Sequence, residues 1–463
     1  MRKVLLASVA SMGALFAAGG AANAQPVKPV APATIVVHVN GYFQFGLDDV
    51  GSTFNNTGGA KLNPVTTNGE FRLYPGFDAM TVNGIAYGAQ VETRTAFTSA
   101  GKGVSSGTGS LYVRRAYGYI GTQDYGYVRF GQTDGAFTLM QTGVIEAFGD
   151  GAQFASTDST SLFVVPTKAI PGEFVYADQG ALYTTDKVVL ISPAVAEPYL
   201  DGKFSAMASY EPNSNGLKQG YGSGCNTAGT GCASLSSLGG GAAGFTSTQA
   251  AERKNTFDGA VKYAVKLGGF ANQISVGYLE GSPINYTGAT LDNVGTAASP
   301  NYANTFAYRL DQLQVMQVGV QTTYKGLFTD GDAITLGANA KWGQTLDGYA
   351  PKPEGARDGL TYIVGGNYVV GPYVLGASFW DGQTAGNYTP FKVNSTTGAV
   401  TRSTEARTLS EYGISAGGNY VIGKDLSLYA QYMYAHSHQP GNTNLQNGNS
   451  QMQLVSAGAT FKW

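Results

Sequence analysis

Few residues of this chain have the types and spacing for covalent or metal chemistry. His38, His436 and His438 are its only histidines. His436 and His438 fall on one face of an alternating segment and offer two ligands, short of a metal site. No serine motif stands beside a histidine to pair a nucleophile with a base. Neither a phosphate-cradling Gly-Lys-Ser/Thr motif nor a paired-cysteine zinc motif occurs. No enzyme, cofactor or resident metal is therefore expected. The charged residues say more. Arg72 stands between Phe71 and Leu73, and Glu92 and Arg94 alternate with apolar neighbours such as Ala89 and Val91. Charges placed this way act through their electric field on whatever lies beside that face.

The elements that carry these charges are strands. In residues 37–47 the odd positions are Val37, Val39, Gly41, Phe43, Phe45 and Leu47, and the even ones His38, Asn40, Tyr42, Gln44 and Gly46. A period of two sends the two sets to opposite faces. Phe71, Leu73 and Phe77 alternate with Arg72 and Tyr74. Ile85, Tyr87, Ala89 and Val91 alternate with Gln90, Glu92 and Arg94, and the hairpin signal Asn83-Gly84 lies between the two runs. Further strands are expected at about 110–121, 125–133, 183–192, 203–211, 256–266, 270–280, 311–324, 333–343, 358–370, 372–381, 408–421, 425–437 and 451–463. That makes about 16 segments, each near the length of a tilted membrane-crossing strand. Tight links such as Gly371-Pro372 and Gly423-Lys424-Asp425 alternate with long polar ones. A hairpin-level repeat, Gly365-Gly366-Asn367-Tyr368-Val369-Val370-Gly371 and Gly417-Gly418-Asn419-Tyr420-Val421-Ile422-Gly423, suits a meander.

Composition excludes the competing classes. Charged residues make up only 13%, about half the share usual in a soluble protein, while 43% hydrophobic and 12% aromatic residues are too many for disorder. Mean hydropathy is −0.09, and no apolar run long enough for a spanning helix follows the N-terminus. The 66 glycines and 29 tyrosines fit a barrel with one lipid face and one wet face. Arg2 and Lys3, the apolar stretch Val4–Ala18 and the small residues of Ala22-Asn23-Ala24 read as a cleaved signal peptide over 1–24, followed by a linker over 25–34 and a barrel over 35–463. Its removal takes two positive charges and no acid, so net −2 becomes about −4 and gives no reason to expect nucleic acid. In an exported chain, Cys225 and Cys232 are expected to close a small disulfide loop within a long link at 212–255. The last strand ends with Phe461 and Trp463 on one face, which would seat a ring at the membrane interface.

These features resemble the general porins of Gram-negative outer membranes, those of α- and β-proteobacteria in particular. The resemblance rests on Arg114-Arg115-Ala116-Tyr117-Gly118-Tyr119-Ile120-Gly121, on Tyr125-Gly126-Tyr127-Val128-Arg129-Phe130-Gly131-Gln132, and on Glu146-Ala147-Phe148-Gly149-Asp150. Asp186-Lys187-Val188-Val189-Leu190-Ile191-Ser192-Pro193 and Ala206-Met207-Ala208-Ser209-Tyr210 extend it, whereas the terminal Trp463 departs from the usual Phe. It implies a homotrimer of 16-stranded barrels in outer-membrane lipid, inserted by the barrel-assembly machinery with Phe461 and Trp463 as its signal, and passing small hydrophilic solutes and ions by diffusion. The third loop, at 134–172, would fold inward and bring Glu146, Asp150 and Asp158 opposite a pore wall of Arg72, Arg94, Arg114 and Arg129, with Glu92 beside Arg94. Arg115 shares its strand face with Val113, Tyr117 and Tyr119, and so is expected at a rim or a subunit contact. Two other uses stand beside the general channel. One is a pore selective for sugars or organic acids, with Tyr42 and Tyr74 as stacking rails. The other is a surface-interaction barrel acting through 212–255.

Overall fold

A computed structural model describes residues 30–53, 63–98, 111–151, 153, 185–196, 202–213, 220–221, 253–283, 286–287, 292–293, 302–303, 311–345, 349, 351–352, 355–385, 391–393, 400–402, 408–438 and 449–463. Sixteen strands succeed one another along the chain. They are β1 (Thr34–Ser52), β2 (Val65–Met80), β3 (Ala86–Thr98), β4 (Tyr112–Thr122), β5 (Gly126–Gln132), β6 (Asp186–Ile191), β7 (Lys203–Asn213) and β8 (Arg253–Leu267). There follow β9 (Phe270–Pro283), β10 (Leu313–Lys325), β11 (Ala333–Gln344), β12 (Gly359–Val370), β13 (Tyr373–Ala385), β14 (Thr408–Val421), β15 (Leu426–His438) and β16 (Asn449–Lys462).

Each strand pairs antiparallel with the next, and β16 returns to β1, from Tyr42 opposite Lys462 to Ser52 opposite Met452. The sheet is closed. Among the described residues this sheet holds one further short strand, Val195–Ala196, which pairs with the start of β7, and three small two-stranded pairings lie in the long links. All sixteen expected segments are present, with ends shifted by a few residues; β1 runs further than expected, from Thr34 to Ser52.

Burial is inverted relative to a soluble protein. In β1, Gln44 and Asp48 point inward and are 3% and 2% exposed, whereas Phe45 and Leu47 point outward at 39% and 53%. The same split runs through β10 to β13, where Gln317, Asn339, Thr361 and Ser378 are buried and Val320, Leu336, Val364 and Leu375 are exposed. Apolar side chains thus coat the outside of the cylinder, as a hydrocarbon surrounding requires.

Outward aromatic pairs gather near both ends. Phe204–Tyr263, Phe270–Tyr324 and Tyr373–Tyr420, with centroids 4.5, 4.7 and 5.2 Å apart, ring one end, and Tyr210–Phe257 at 4.5 Å and Tyr362–Phe379 at 6.3 Å lie toward the other. Amphipathic rings favour the two interfaces of a bilayer.

The two rims differ. The links 81–85, 123–125, 268–269, 371–372 and 422–425 share one end, and the long links, including 133–185 and 214–252, share the other. The β2–β3 hairpin turns at Gly84, whose φ of +82° suits the Asn83-Gly84 signal. Both copies of the Gly-Gly-Asn-Tyr repeat lead into short links, from β12 and from β14.

At the seam, Gly41 and Trp463 exchange backbone hydrogen bonds of 3.2 Å in each direction. The indole lies where a Cβ on residue 41 would meet ring atom Cζ2 at 2.6 Å, so glycine is required for this approach. The Trp463 ring also packs beside Phe71 at 5.7 Å.

The short-rim link 326–332 is held by Asp332. Its carboxylate accepts the N–H groups of Leu327, Phe328 and Thr329 at 2.8, 2.9 and 3.0 Å and the Tyr368 hydroxyl at 2.8 Å. Desolvation works against the charge, but these donors prevail and hold the carboxyl below its ordinary value. A depressed folded-state value stabilises above the unfolded-state value and is lost as pH falls through the folded one. Asp332→Asn should therefore lower the urea midpoint at neutral pH and lower it less in strong acid. An equal loss at both would show that the charge is not what holds the turn.

Candidate functional site

Inward residues of β2 to β5 form a charged lattice. Glu70 and Arg72 stand two positions apart on one face of β2, as do Glu92 and Arg94 on β3. Register sets Arg72 directly opposite Arg94, a like-charge pairing that by itself is unfavourable. Carboxylates resolve it. Glu70 takes Arg72 Nη2 at 2.5 Å and Arg94 Nη1 at 3.6 Å, and accepts the Tyr42 hydroxyl at 2.9 Å. Glu92 binds Arg94 Nε, Arg114 Nη1 at 3.4 Å and Arg115 Nη1 at 3.0 Å.

The position of Arg115 corrects the expectation of a rim or a subunit contact. The β3–β4 pairing carries a bulge in which Glu92 faces Arg115 and Thr93 faces Val113, which leaves Arg114 as the extra residue. A bulge reverses the inside–outside phase of a strand. Val113 points out, yet Arg114 and Arg115 both point in, and so do Tyr117 and Tyr119, whose hydroxyls reach Gln90 and Asp78. Arg115 Nη2 lies 3.2 Å from Asp134 at the root of the long link after β5. Burial raises the Asp134 carboxyl above its ordinary value, and nearby Arg115, Arg129 and Lys187 offset this only in part. Arg129 reaches Thr133 at 3.4 Å and stacks 4.4 Å from the Tyr117 ring centroid.

The described part of the link after β5, as far as Gln153, lies inside the barrel and meets one wall strand after another. A one-turn helix, α1 (Ala136–Leu139), begins it. The N–H of Ala136 donates to Ser209 Oγ on β7 at 3.2 Å, and that of Phe137 to Asp258 Oδ1 on β8 at 2.7 Å. Gln317 on β10 donates to the Phe137 carbonyl, and Asn339 on β11 to that of Thr142, both at 2.7 Å. Ser378 on β13 donates to Ile145 O at 2.5 Å, and Asn419 on β14 to Gly149 O at 2.8 Å. Gln431 on β15 accepts the Asp150 N–H at 3.0 Å. The loop backbone thus replaces water on one inward polar side chain after another. Phe148 anchors it further, lodging over Gly376 beside Ile145 and Val374.

Of the expected acids, Asp150 sits where the loop meets β15. Glu146 is 6% exposed and follows Ile145, whose carbonyl accepts from Ser378 of β13. Asp158, Cys225 and Cys232 lie outside the described residues, as do most of 134–172 beyond Gln153 and most of 212–255. Arg72, Arg94, Arg114, Arg129 and Glu92 come together as one wall. Sequence reasoning missed Glu70, although the repeat Glu70-Phe71-Arg72 and Glu92-Thr93-Arg94 signals it. It also missed the second cluster on the wall, in which Glu211 binds Arg253 at 3.2 Å and Lys187 at 3.8 Å. His38 faces Asp78 at 3.6 Å and His436 meets Asn449 at 2.5 Å. Among the described residues no three metal-binding side chains gather.

A closed barrel with an apolar exterior, a charged interior and a loop pinned inside defines a membrane-spanning β-barrel. The chain belongs to the Gram-negative porin family, whose model matches residues 7–440, and the protein resides in the outer membrane. No curated protein is similar enough to match it. Solved structures similar to it include outer-membrane-expressed OmpT of Vibrio cholerae, at 13% identity over 94% of this chain and 99% of that one, with a TM-score of 0.47. A variant of the Rh. blastica porin is 14% identical over 92% and 100% of the two chains, with a TM-score of 0.43. The trimer form of the Vibrio cholerae OmpT shares 13% identity over 93% and 100%, with a TM-score of 0.44.

A Cβ on Gly376 would fall 2.6 Å from Phe148 Cγ. Gly376→Val should therefore expel the ring, cost about 1–3 kcal/mol of stability and free the loop tip. Urea unfolding, with proteolysis of the folded barrel near residues 145–150, reads both effects. Unchanged protection at unchanged stability would show that Phe148 does not anchor the loop.

Proposed function

We propose that this porin is a water-filled channel for passive diffusion of small hydrophilic solutes and ions. The observation that carries the reading is the lattice of β2–β5, which stands across the lumen from a loop pinned along β7–β15. Four guanidiniums, of Arg72, Arg94, Arg114 and Arg115, meet three carboxylates, of Glu70, Glu92 and Asp134, and a fifth, of Arg129, reaches Thr133 beside them. The surplus is positive and fixed on one side. Such a wall orients dipolar solutes and water, admits polar molecules and favours anions modestly. Asp150 supplies negative charge from the loop side, with Asp158 as a further contributor in the same loop.

A stacking rail for sugars has less support. Arg72 lies 4.9 Å from the Tyr42 ring centroid and the Tyr42 hydroxyl is bound to Glu70, so that ring is already engaged. The channel works by diffusion and needs no catalytic group. The remaining assignments follow from the same reading. Residues 1–24 act as a cleaved signal peptide and 25–34 as a linker, and the long links, with 212–255 and its Cys225–Cys232 disulfide, face outside. The barrels associate as homotrimers, and Phe461 and Trp463 mark the chain for barrel-assembly machinery.

Planar-bilayer recording of the purified protein tests this. Stepwise, weakly selective currents are expected, and a folded protein with no conductance would sink the channel reading. Glu92→Gln removes the charge shared by three guanidiniums. It should shift the reversal potential in a salt gradient toward anions, by about twofold in permeability ratio. An unmoved potential would take the lattice out of ion selection.

A further inference from the structure

The loop root is clamped from a second, unrelated segment. Tyr349 belongs to the link between β11 and β12, yet its side chain is fully buried within the barrel. Its ring meets that of Phe137, on α1, edge to face at 5.7 Å. The Tyr349 hydroxyl accepts from Lys341 Nζ at 2.7 Å, and its carbonyl accepts from Arg253 Nη1 at 3.3 Å. Lys341 Nζ lies 5.6 and 5.4 Å from the two ring centroids and reaches Gln141 of the loop at 3.5 Å. A cation taken out of water is costly unless several partners share it, and here both rings, the hydroxyl and the Gln141 amide do so.

Two further facts set Tyr349 apart from ordinary packing. Its backbone φ is +56°, a left-handed conformation that a residue with a Cβ holds only where its surroundings impose it. It is also braced on both sides. Thr384 donates to the Thr345 carbonyl at 3.3 Å, and Lys352 binds Asp311 at 2.6 Å and Asp358 at 3.2 Å.

We propose that Tyr349 is a positioning residue for the constriction, holding α1 against the wall and so setting the width of the pore. The inference rests on the channel reading for its consequence but on geometry for its mechanism. The ring clamp adds to the hydrogen bonds that α1 makes with Ser209, Asp258 and Gln317 a restraint from a second segment of chain, on the side of α1 that faces β11. With the ring removed, Phe137 loses its partner and Lys341 its hydroxyl acceptor, and α1 is free to shift.

The test uses the full chain with Tyr349→Ala and Tyr349→Phe, recorded in planar bilayers and sized with neutral polyethylene glycols. Tyr349→Ala should change single-channel conductance by about twofold and move the polymer exclusion limit in the same direction, and Tyr349→Phe should produce a smaller change of the same sign. Amide exchange over residues 136–142 should quicken in both. If Tyr349→Ala does not fold, Tyr349→Leu, which also lacks the ring but fills more of its space, decides in its place. Conductance and exclusion limit equal to those of the unaltered protein would overturn the proposal. If the unaltered protein carries no current, the channel reading fails by itself, and unchanged exchange at 136–142 would separately overturn the positioning role.

Discussion

Closure of the sheet is the constraint on which everything else depends. In hydrocarbon no water is present to satisfy a backbone N–H or C=O, so a sheet can cross only if its first strand finds its last. The β1–β16 register supplies this, and Gly41 lets Trp463 lie across the seam. Once the cylinder is shut, period-two alternation has a single consequence. One set of side chains must suit lipid and the other must suit water. The inverted burial of β1 and of β10–β13 is that consequence, and it explains how a chain with few charges can place so many of them inside.

Inside, the difficulty is reversed, because charges stand close together in a confined space. Arg72 and Arg94 face each other across the β2–β3 ladder, and Arg114 and Arg115 enter together at the bulge. Neutralising them fully would abolish the field, whereas leaving them bare would cost stability. Three carboxylates placed between five guanidiniums keep every arginine near a partner and still leave a positive surplus. The bulge is the device that makes this possible, since a regular β4 would have sent Arg115 out into lipid.

The inward loop solves a related problem of accounting. Its backbone groups leave water when it lies on the wall, and the wall answers with Ser209, Asp258, Gln317, Asn339, Ser378, Asn419 and Gln431 in succession. These residues point inward because of their strand phase, so the polar face that suits a wet lumen also serves as a rack for the loop. The barrel interior is thereby asymmetric. One wall carries a lattice of paired charges and the other is lined by loop backbone.

The sequence by itself determined the strands and the inside and outside sets, and so put Arg72, Arg94, Arg114, Arg129 and Glu92 on inward faces; that they form one wall was only what the porin resemblance implied. The strands and their faces follow from alternation over a few neighbouring residues. The repeated Glu-x-Arg was equally legible and pointed to Glu70. The tertiary structure alone decided that Arg115, Tyr117 and Tyr119 turn inward, that Ser378 holds the loop at Ile145, and that Tyr349 reaches Phe137. A bulge is a property of two strands paired in register, and no single strand announces it. The partners of the loop lie far along the chain, as Ser378 does from Ile145, and become neighbours only once the barrel has closed around them.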